Sequence, residues 1–346
     1  MRKLWEGKVS RRKLLGGAAV TSATLPVLHE LIPHRGLHGG TSTAEAAVAH
    51  HHRQAHRGSA HLGAVGRVDP RGNGFDPQLI VRDFDDGVVR DGVREWELVA
   101  EDREIEVAPG VKYAAWTYNG RVPGPTLRAR EGERLRIRFV NGSKHPHTIH
   151  FHGIHRDLSD GIPGIGPGNV EPGGSTVYEF DATPFGLHLY HCHSTPLAEH
   201  IAKGLYGAFV IDPKAGRPPA DELVMVMNGF DTNFDRSNEV YAVNTVAFAY
   251  MDEPIRVKRG ELVRIYLVNV LEFDPLNSFH VHANFFDYYP TGTRLEPRDF
   301  TDTVIQGQGE RGILELRFPY AGKYMFHAHV SEFAELGWMG FFEVSG

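Results

Sequence analysis

A single cysteine, Cys192, among 346 residues excludes an intramolecular disulfide framework. Methionine is sparse as well, six residues with no Met-rich segment. Past the amino-terminal region no stretch is long and apolar enough for a membrane-spanning helix, and no amphipathic stripe carries helix caps at both ends. Neither sign of charge dominates: 37 basic against 43 acidic residues leave a net charge of −6, with the basic residues scattered. That removes the bulk electrostatic basis for binding nucleic acid. The length is enough for two domains. A lone thiol is a metal ligand, an intermolecular partner or a reactive group, with a buried inert side chain as the ordinary alternative.

The neighbours of Cys192 favour the metal. It is the centre of His191-Cys192-His193, one of four His-x-His pairs, the others being His150/His152, His280/His282 and His327/His329. Imidazole and thiolate together prefer copper to hard cations. On a strand, residues two apart share a face and neighbours oppose one another. His191 and His193 therefore point one way and Cys192 the other. In His147-Thr148-Ile149-His150-Phe151-His152 the same parity sets His147 apart from His150 and His152, so that His147 can join Cys192. The pattern predicts a mononuclear thiolate site beside a polyhistidine site.

The chain also repeats itself. Arg130-Glu131-Gly132-Glu133-Arg134-Leu135-Arg136-Ile137-Arg138-Phe139-Val140-Asn141 matches Lys258-Arg259-Gly260-Glu261-Leu262-Val263-Arg264-Ile265-Tyr266-Leu267-Val268-Asn269, and a His-x-His pair follows each. Each half closes alike, through Gly204-Leu205-Tyr206-Gly207 and Gly337-Trp338-Met339-Gly340. Leu135, Ile137 and Phe139 alternate with arginines in the period of a half-buried strand. Pro/Gly clusters such as Val122-Pro123-Gly124-Pro125 separate the strands. The expectation is an all-β chain of two β-sandwiches, 78–213 and 221–346, joined by a short Pro-rich link.

Residues 1–48 read as a twin-arginine signal peptide: Ser10-Arg11-Arg12-Lys13-Leu14-Leu15, an apolar stretch to Leu28, and Ala44-Glu45-Ala46 as a cleavage site. A periplasmic, extracellular or cell-surface location follows. Residues 49–77, with His50, His51, His52, His56 and His61, read as a flexible His-rich segment.

These motifs resemble the multicopper oxidase family, in particular its two-domain, laccase-like members built from tandem cupredoxin-like Greek-key domains. The resemblance implies that His147, Cys192 and His200 hold a type 1 (blue) copper, His200 on a longer spacing from Cys192 than in common laccases. It assigns His150 and His280 to a type 2 copper, and His152, His191, His193, His282, His327 and His329 to a type 3 pair, four coppers per chain in all. Leu205 stands at the axial position and cannot ligate, so the site is expected to be more oxidising than a Met-ligated one. Asp160 matches a carboxylate near type 2 copper that supplies protons; an Asp-Gly turn that only shapes the loop is the alternative. His145, His155 and His188 are read as surface residues or as groups supporting the ligands. In the second half Asn277, Ala328 and Phe333 replace the blue-site ligands, while the four paired histidines remain.

The resemblance implies a laccase-like enzyme that couples one-electron oxidation of phenolic or aromatic substrates to four-electron reduction of O2. Oxidation of Cu, Fe or Mn ions is an alternative, and the lack of a Met-rich segment weighs against Cu(I). Copper nitrite reductase, a second reading, needs only a three-histidine type 2 site and lacks the counterpart of His193. An electron carrier would need only one copper. Two-domain members further imply a homotrimer, with His150, His152, His191 and His193 of one chain facing His280, His282, His327 and His329 of the next.

Overall fold

The computed structural model describes residues 68–346. The expected signal peptide and the histidines from His50 to His61 lie outside the described residues.

The alternation in Arg134–Asn141 produces the strand it predicts. Leu135, Ile137 and Phe139 are fully buried, while Arg134, Arg136 and Arg138 pair outward with Glu179, Asp181, Glu95 and Glu97 on the flanking strands. The repeat strand Leu262–Asn269 is buried on both faces. Its Arg264, 3% exposed, is held between Glu222 and Glu315. The difference is positional, because the outer face of the second-half sheet packs against the first half and an arginine there must be paired to be buried.

Two β-sandwiches result, and the fold is the all-β, tandem cupredoxin-like one expected. In the first, Phe84–Asp85, Thr126–Arg130, Tyr206–Asp212, Gly186–His191 and His150–Phe151 lie in that order in one sheet; the facing sheet orders Val88–Arg90, Val93–Ala108, Arg134–Asn141 and Ser175–Asp181, with Val111–Tyr118 paired to the second of these. The second sandwich repeats the plan. Arg134–Asn141 runs parallel to Val93–Ala108, as Leu262–Asn269 does to Asp221–Phe230. Tyr206–Asp212 is antiparallel to Gly186–His191, as Met339–Ser345 is to Gly322–His327.

The halves belong to one compact unit. Leu187, Leu189, Tyr206 and Ala208 of the first share an apolar core with Val224, Val226, Tyr266 and Ile313 of the second. Leu187 N–H donates to the Thr291 carbonyl at 2.7 Å, and Asn228 Nδ2 to Tyr206 Oη at 2.8 Å.

The end of the segment expected to be flexible, 68–77, is packed. Asn73 donates to the Glu106 carbonyl at 2.9 Å and accepts from its N–H at 2.7 Å, Phe75 is buried, and Asp76 caps the short helix Pro77–Ile80. The histidine-rich composition that suggested flexibility stops at His61, and these residues carry an apolar anchor and a cap of their own.

Candidate metal centres

The strand Gly186–His191 sets the first centre. Leu187, Leu189 and His191 face the second half, and the opposite parity carries Tyr190 and Cys192 into the core of the first sandwich. There Cys192 Sγ lies 3.2 Å from His200 Nδ1 and 3.8 Å from His147 Nδ1, and the two nitrogens are 3.1 Å apart. His147 arrives from the irregular segment before the strand His150–Phe151, and His200 from the helix Leu197–Ala202. The longer spacing from Cys192 to His200 is taken up by that helix, which brings His200 to the thiol. Ser143 Oγ accepts from His147 Nε2 at 2.7 Å, which leaves the Nδ1 lone pair free for a metal.

Burial pushes the Cys192 thiol up and holds His147 down to about 3 and His200 to about 4. A metal would supply the positive charge that the buried thiolate lacks. Donors 3.1–3.8 Å apart fit one ion at about 2.0–2.3 Å from each, and two histidines with a cysteine are the blue-copper donor set. Leu205 is fully buried in the same core; its carbonyl accepts from Cys192 N–H at 3.0 Å.

The other parity builds the histidine clusters. His150 is the antiparallel register partner of His191, and His280 of His327. His152 Nε2 and His191 Nε2 approach to 2.9 Å, as do His282 Nε2 and His327 Nε2. In each half every anchored ring uses Nδ1: His191 on the Cys192 carbonyl at 2.8 Å, His327 on the Ala328 carbonyl at 2.6 Å, His150 on the Asp160 carbonyl at 3.0 Å, and His280 on the Asp302 carbonyl at 2.9 Å. Their Nε2 atoms remain free for metal. His193 and His329 stand beside these triplets, 5.4 Å ring to ring from His150 and His280. Among the described residues no converging donor group mixes histidines of the two halves. The first cluster opens on a cleft walled by Val270, Glu272, Gln308 and Gly309 of the second half, whereas His282 and His329 are exposed.

Asp160 Oδ1 lies 2.8 Å from His150 Nδ1 and 3.4 Å from His155 Nε2. The turn is tightly specified too: a Cβ on Gly161, at φ +69°, would fall 2.0 Å from the Ile149 carbonyl oxygen. His155 thus supports the ligands through Asp160. His188, buried, places Nδ1 3.0 Å from the His152 carbonyl oxygen, and His145 is exposed against Trp116.

The second half keeps the frame of a thiolate site without its donors. Phe333 accepts from Trp338 N–H as His200 does from Leu205 N–H, and Ala328 N–H donates to Trp338 as Cys192 N–H does to Leu205. Asn277, Ala328 and Phe333 are buried, and the Trp338 indole is fully enclosed. Sequence reasoning missed Ser143, Asp302 and Thr303. Thr303 Oγ1 lies 2.9 Å from His280 Nδ1 and donates to Asp302 Oδ1 at 3.0 Å. The signal for Thr303, with Asp302 beside it, is a register position opposite His280; Ser143 lies four residues before His147 in the same loop.

A duplicated β-sandwich protein with one thiolate centre and two histidine clusters is a copper oxidoreductase in its class. The chain belongs to the multicopper oxidase family, whose sequence pattern matches residues 100–216 and again 217–346. A solved multicopper oxidase is 64% identical, with a TM-score of 0.79, covering 81% of this chain and all of the other. The blue copper oxidase of Nitrosomonas europaea is 28% identical, with a TM-score of 0.67, over 73% of this chain and 86% of its own. The copper-containing nitrite reductase of Neisseria gonorrhoeae is 31% identical over 253 residues, 66% of this chain and 62% of that protein. The chain thus spans about three-fifths of that relative's length.

Proposed function

We propose that the protein is a laccase-like oxidase with four coppers per chain, one at Cys192, His147 and His200 and three shared between the histidine clusters. One-electron oxidation of a phenolic or aromatic substrate is coupled to reduction of O2 to water. The observation that carries this reading is the retention of all four second-half histidines, two of them with Nδ1 anchored and Nε2 free, in a half that has lost every thiolate-site donor.

When bound, copper supplies one-electron exchange at the thiolate centre and dioxygen reduction at the histidine cluster. Cys192 and the adjoining His191 and His193 give the shortest covalent bridge between them. Asp160 holds His150 in the tautomer that ligates through Nε2, and its Oδ1 is placed to pass protons, of which reduction of one O2 to two waters consumes four along with four electrons. His282 and His329 stand exposed and the two clusters do not converge within a chain. This supports a homotrimer in which one chain's first cluster meets the next chain's second. The twin-arginine pattern supports export and a periplasmic, extracellular or cell-surface location.

Nitrite reduction is the second reading, favoured by the similarity to the Neisseria enzyme. Copper analysis with oxygen uptake and nitrite consumption, each measured on the loaded protein, tests both. Four coppers and phenol-dependent oxygen uptake support the oxidase. Two coppers with nitrite turnover would replace it by the reductase.

A further inference from the structure

The imidazoles of the thiolate centre are enclosed, His147 at 0% and His200 at 4% exposure. Almost none of either residue is open to a reductant in solution. One side chain lies against both: the Trp116 ring is 4.7 Å from that of His200 and 5.2 Å from that of His147. Lys203 Nζ stands 5.3 Å from the Trp116 ring centre, and the same ammonium is 4.4 Å from the centre of Phe234. Lys203 also borders a cleft of about 290 Å³, lined by Tyr113 and Glu199 of the first half and Asp231, Phe234 and Phe273 of the second. Phe234 is 59% exposed and adopts φ +64°, a left-handed conformation that costs a bulky residue free energy. Asp231 holds that loop by accepting from the N–H groups of Asp235 and Arg236.

We propose that this cleft between the two halves is the reductant's docking site, that its ligand is a small phenol or aromatic amine, and that Trp116 is the ring through which the electron reaches the thiolate centre. The inference rests on the oxidase reading above. A cleft of this volume stands at the lower end of ligand pockets, about 300 Å³, and has room for one substituted ring. Phe234, Phe273 and Tyr113 offer aromatic surface, and the Lys203 ammonium attracts a π face. A divalent ion suits it less. Asp231, Asp235 and Glu239 converge nearby, but their oxygens already accept the N–H groups of Asp235, Arg236, Ser237 and Thr232. In each step the phenol loses one electron and its hydroxyl proton. The proton would leave to solvent, and the electron would cross Trp116 toward the copper that Cys192, His147 and His200 would hold, whose one-electron chemistry would accept it. The ammonium beside the indole makes removal of an indole electron costly, so Trp116 bridges without being oxidised itself.

Phenol is titrated first into copper-free protein, where it is not consumed, while the indole N–H resonance of Trp116 is followed by NMR. A saturable shift that Phe234→Ser abolishes is expected; no saturable shift overturns the docking site. In loaded protein, Phe234→Ser and Lys203→Met should each raise the phenol KM by roughly two- to tenfold, the worth of one aromatic or cation contact. Trp116→Leu should slow anaerobic bleaching by phenol severalfold with the blue absorption band in place. Bleaching at the wild-type rate overturns the route, and Trp116→Phe, which keeps a ring, should bleach faster than the leucine variant. Phe234 and Lys203 report even where Trp116→Leu does not fold. Saturable binding without oxygen uptake would sink the oxidase reading and leave the cleft standing; oxygen uptake with an unmoved KM in both cleft variants would do the reverse.

Discussion

His150 is paired in register with His191 across two antiparallel strands, and their rings are 5.4 Å apart. His280 repeats this relationship with His327 at 5.3 Å. Two matched half-clusters that do not converge within one chain have a direct consequence for mixing. A variant lacking His150 and His152 and one lacking His280 and His282 are each expected to be inactive. Refolded together as a trimer, random assembly leaves ~25% of interfaces with two intact halves, and activity returns in that proportion. Confirmed mixed oligomers without recovery, or a fully active monomer, would rule out the shared cluster.

Cys192→Ser should remove the intense visible absorption and one copper and leave the other three in place. The thiolate and the histidine donors lie on opposite parities of one strand, so losing Sγ does not disturb the Nδ1 anchor of His191 on the Cys192 carbonyl. Metal analysis and visible spectra decide it; loss of all copper from a folded variant would contradict the separation.

Asp160→Asn keeps the shape of the turn and removes the carboxylate 2.8 Å from His150 Nδ1. Oxygen reduction should slow by roughly a hundredfold, the scale of a positioned acid–base group. Anaerobic reduction of the blue centre should be unchanged. Rapid mixing of reduced enzyme with oxygen separates the two half-reactions, and equal slowing of both would return Asp160 to a purely structural role.

Burial holds His147 down to about 3 and His188 and His191 to about 4, whereas an unfolded chain titrates its histidines near pH 6.5. Between about pH 6.5 and 4 the unfolded copper-free protein therefore binds more protons than the folded one. Stability should be full above pH 6.5 and fall as the pH falls through that window. Urea unfolding at several pH values should show a declining midpoint at a constant slope; a midpoint that rises on acidification would contradict the assigned neutral state.

The second half should not take up a blue copper even when two of its three missing donors are restored as Ala328→Cys with Phe333→His. Asn277 still occupies the place of His147, and the fully buried Trp338 indole stands where Leu205 does in the first half. Copper titration of the double variant should add no second intense visible band.

Much was legible in the chain because strand parity is a local property. The two-residue period in Leu135, Ile137 and Phe139, the repeat at Leu262–Asn269, and the opposition of Cys192 to its flanking histidines follow from backbone geometry alone. His147, by contrast, reaches Cys192 from an irregular segment before the strand His150–Phe151, so their 3.8 Å separation is not a product of strand parity. Asp302 and Thr303 were not legible, since a hydrogen bond from a neighbouring strand leaves no pattern in its own segment, and Ser143 meets His147 only through the shape of the loop they share. The order in 68–77 was also missed, because one cap and one buried phenylalanine outweigh a polar composition.

By itself, then, the sequence determined the four His-x-His pairs, the lone thiol set within one of them, and the duplicated all-β framework that carries both. These depend on residue type and on a period of two, which are present before any long-range contact forms. Only the tertiary structure decided that His200 closes the thiolate centre and that the Nδ1 atoms of His150, His191, His280 and His327 are anchored. It alone decided that the two histidine clusters do not meet within a chain and that Trp116 covers the buried ligand rings. Each of these is set by how two sheets and two halves pack, and packing joins residues that no spacing along the chain relates.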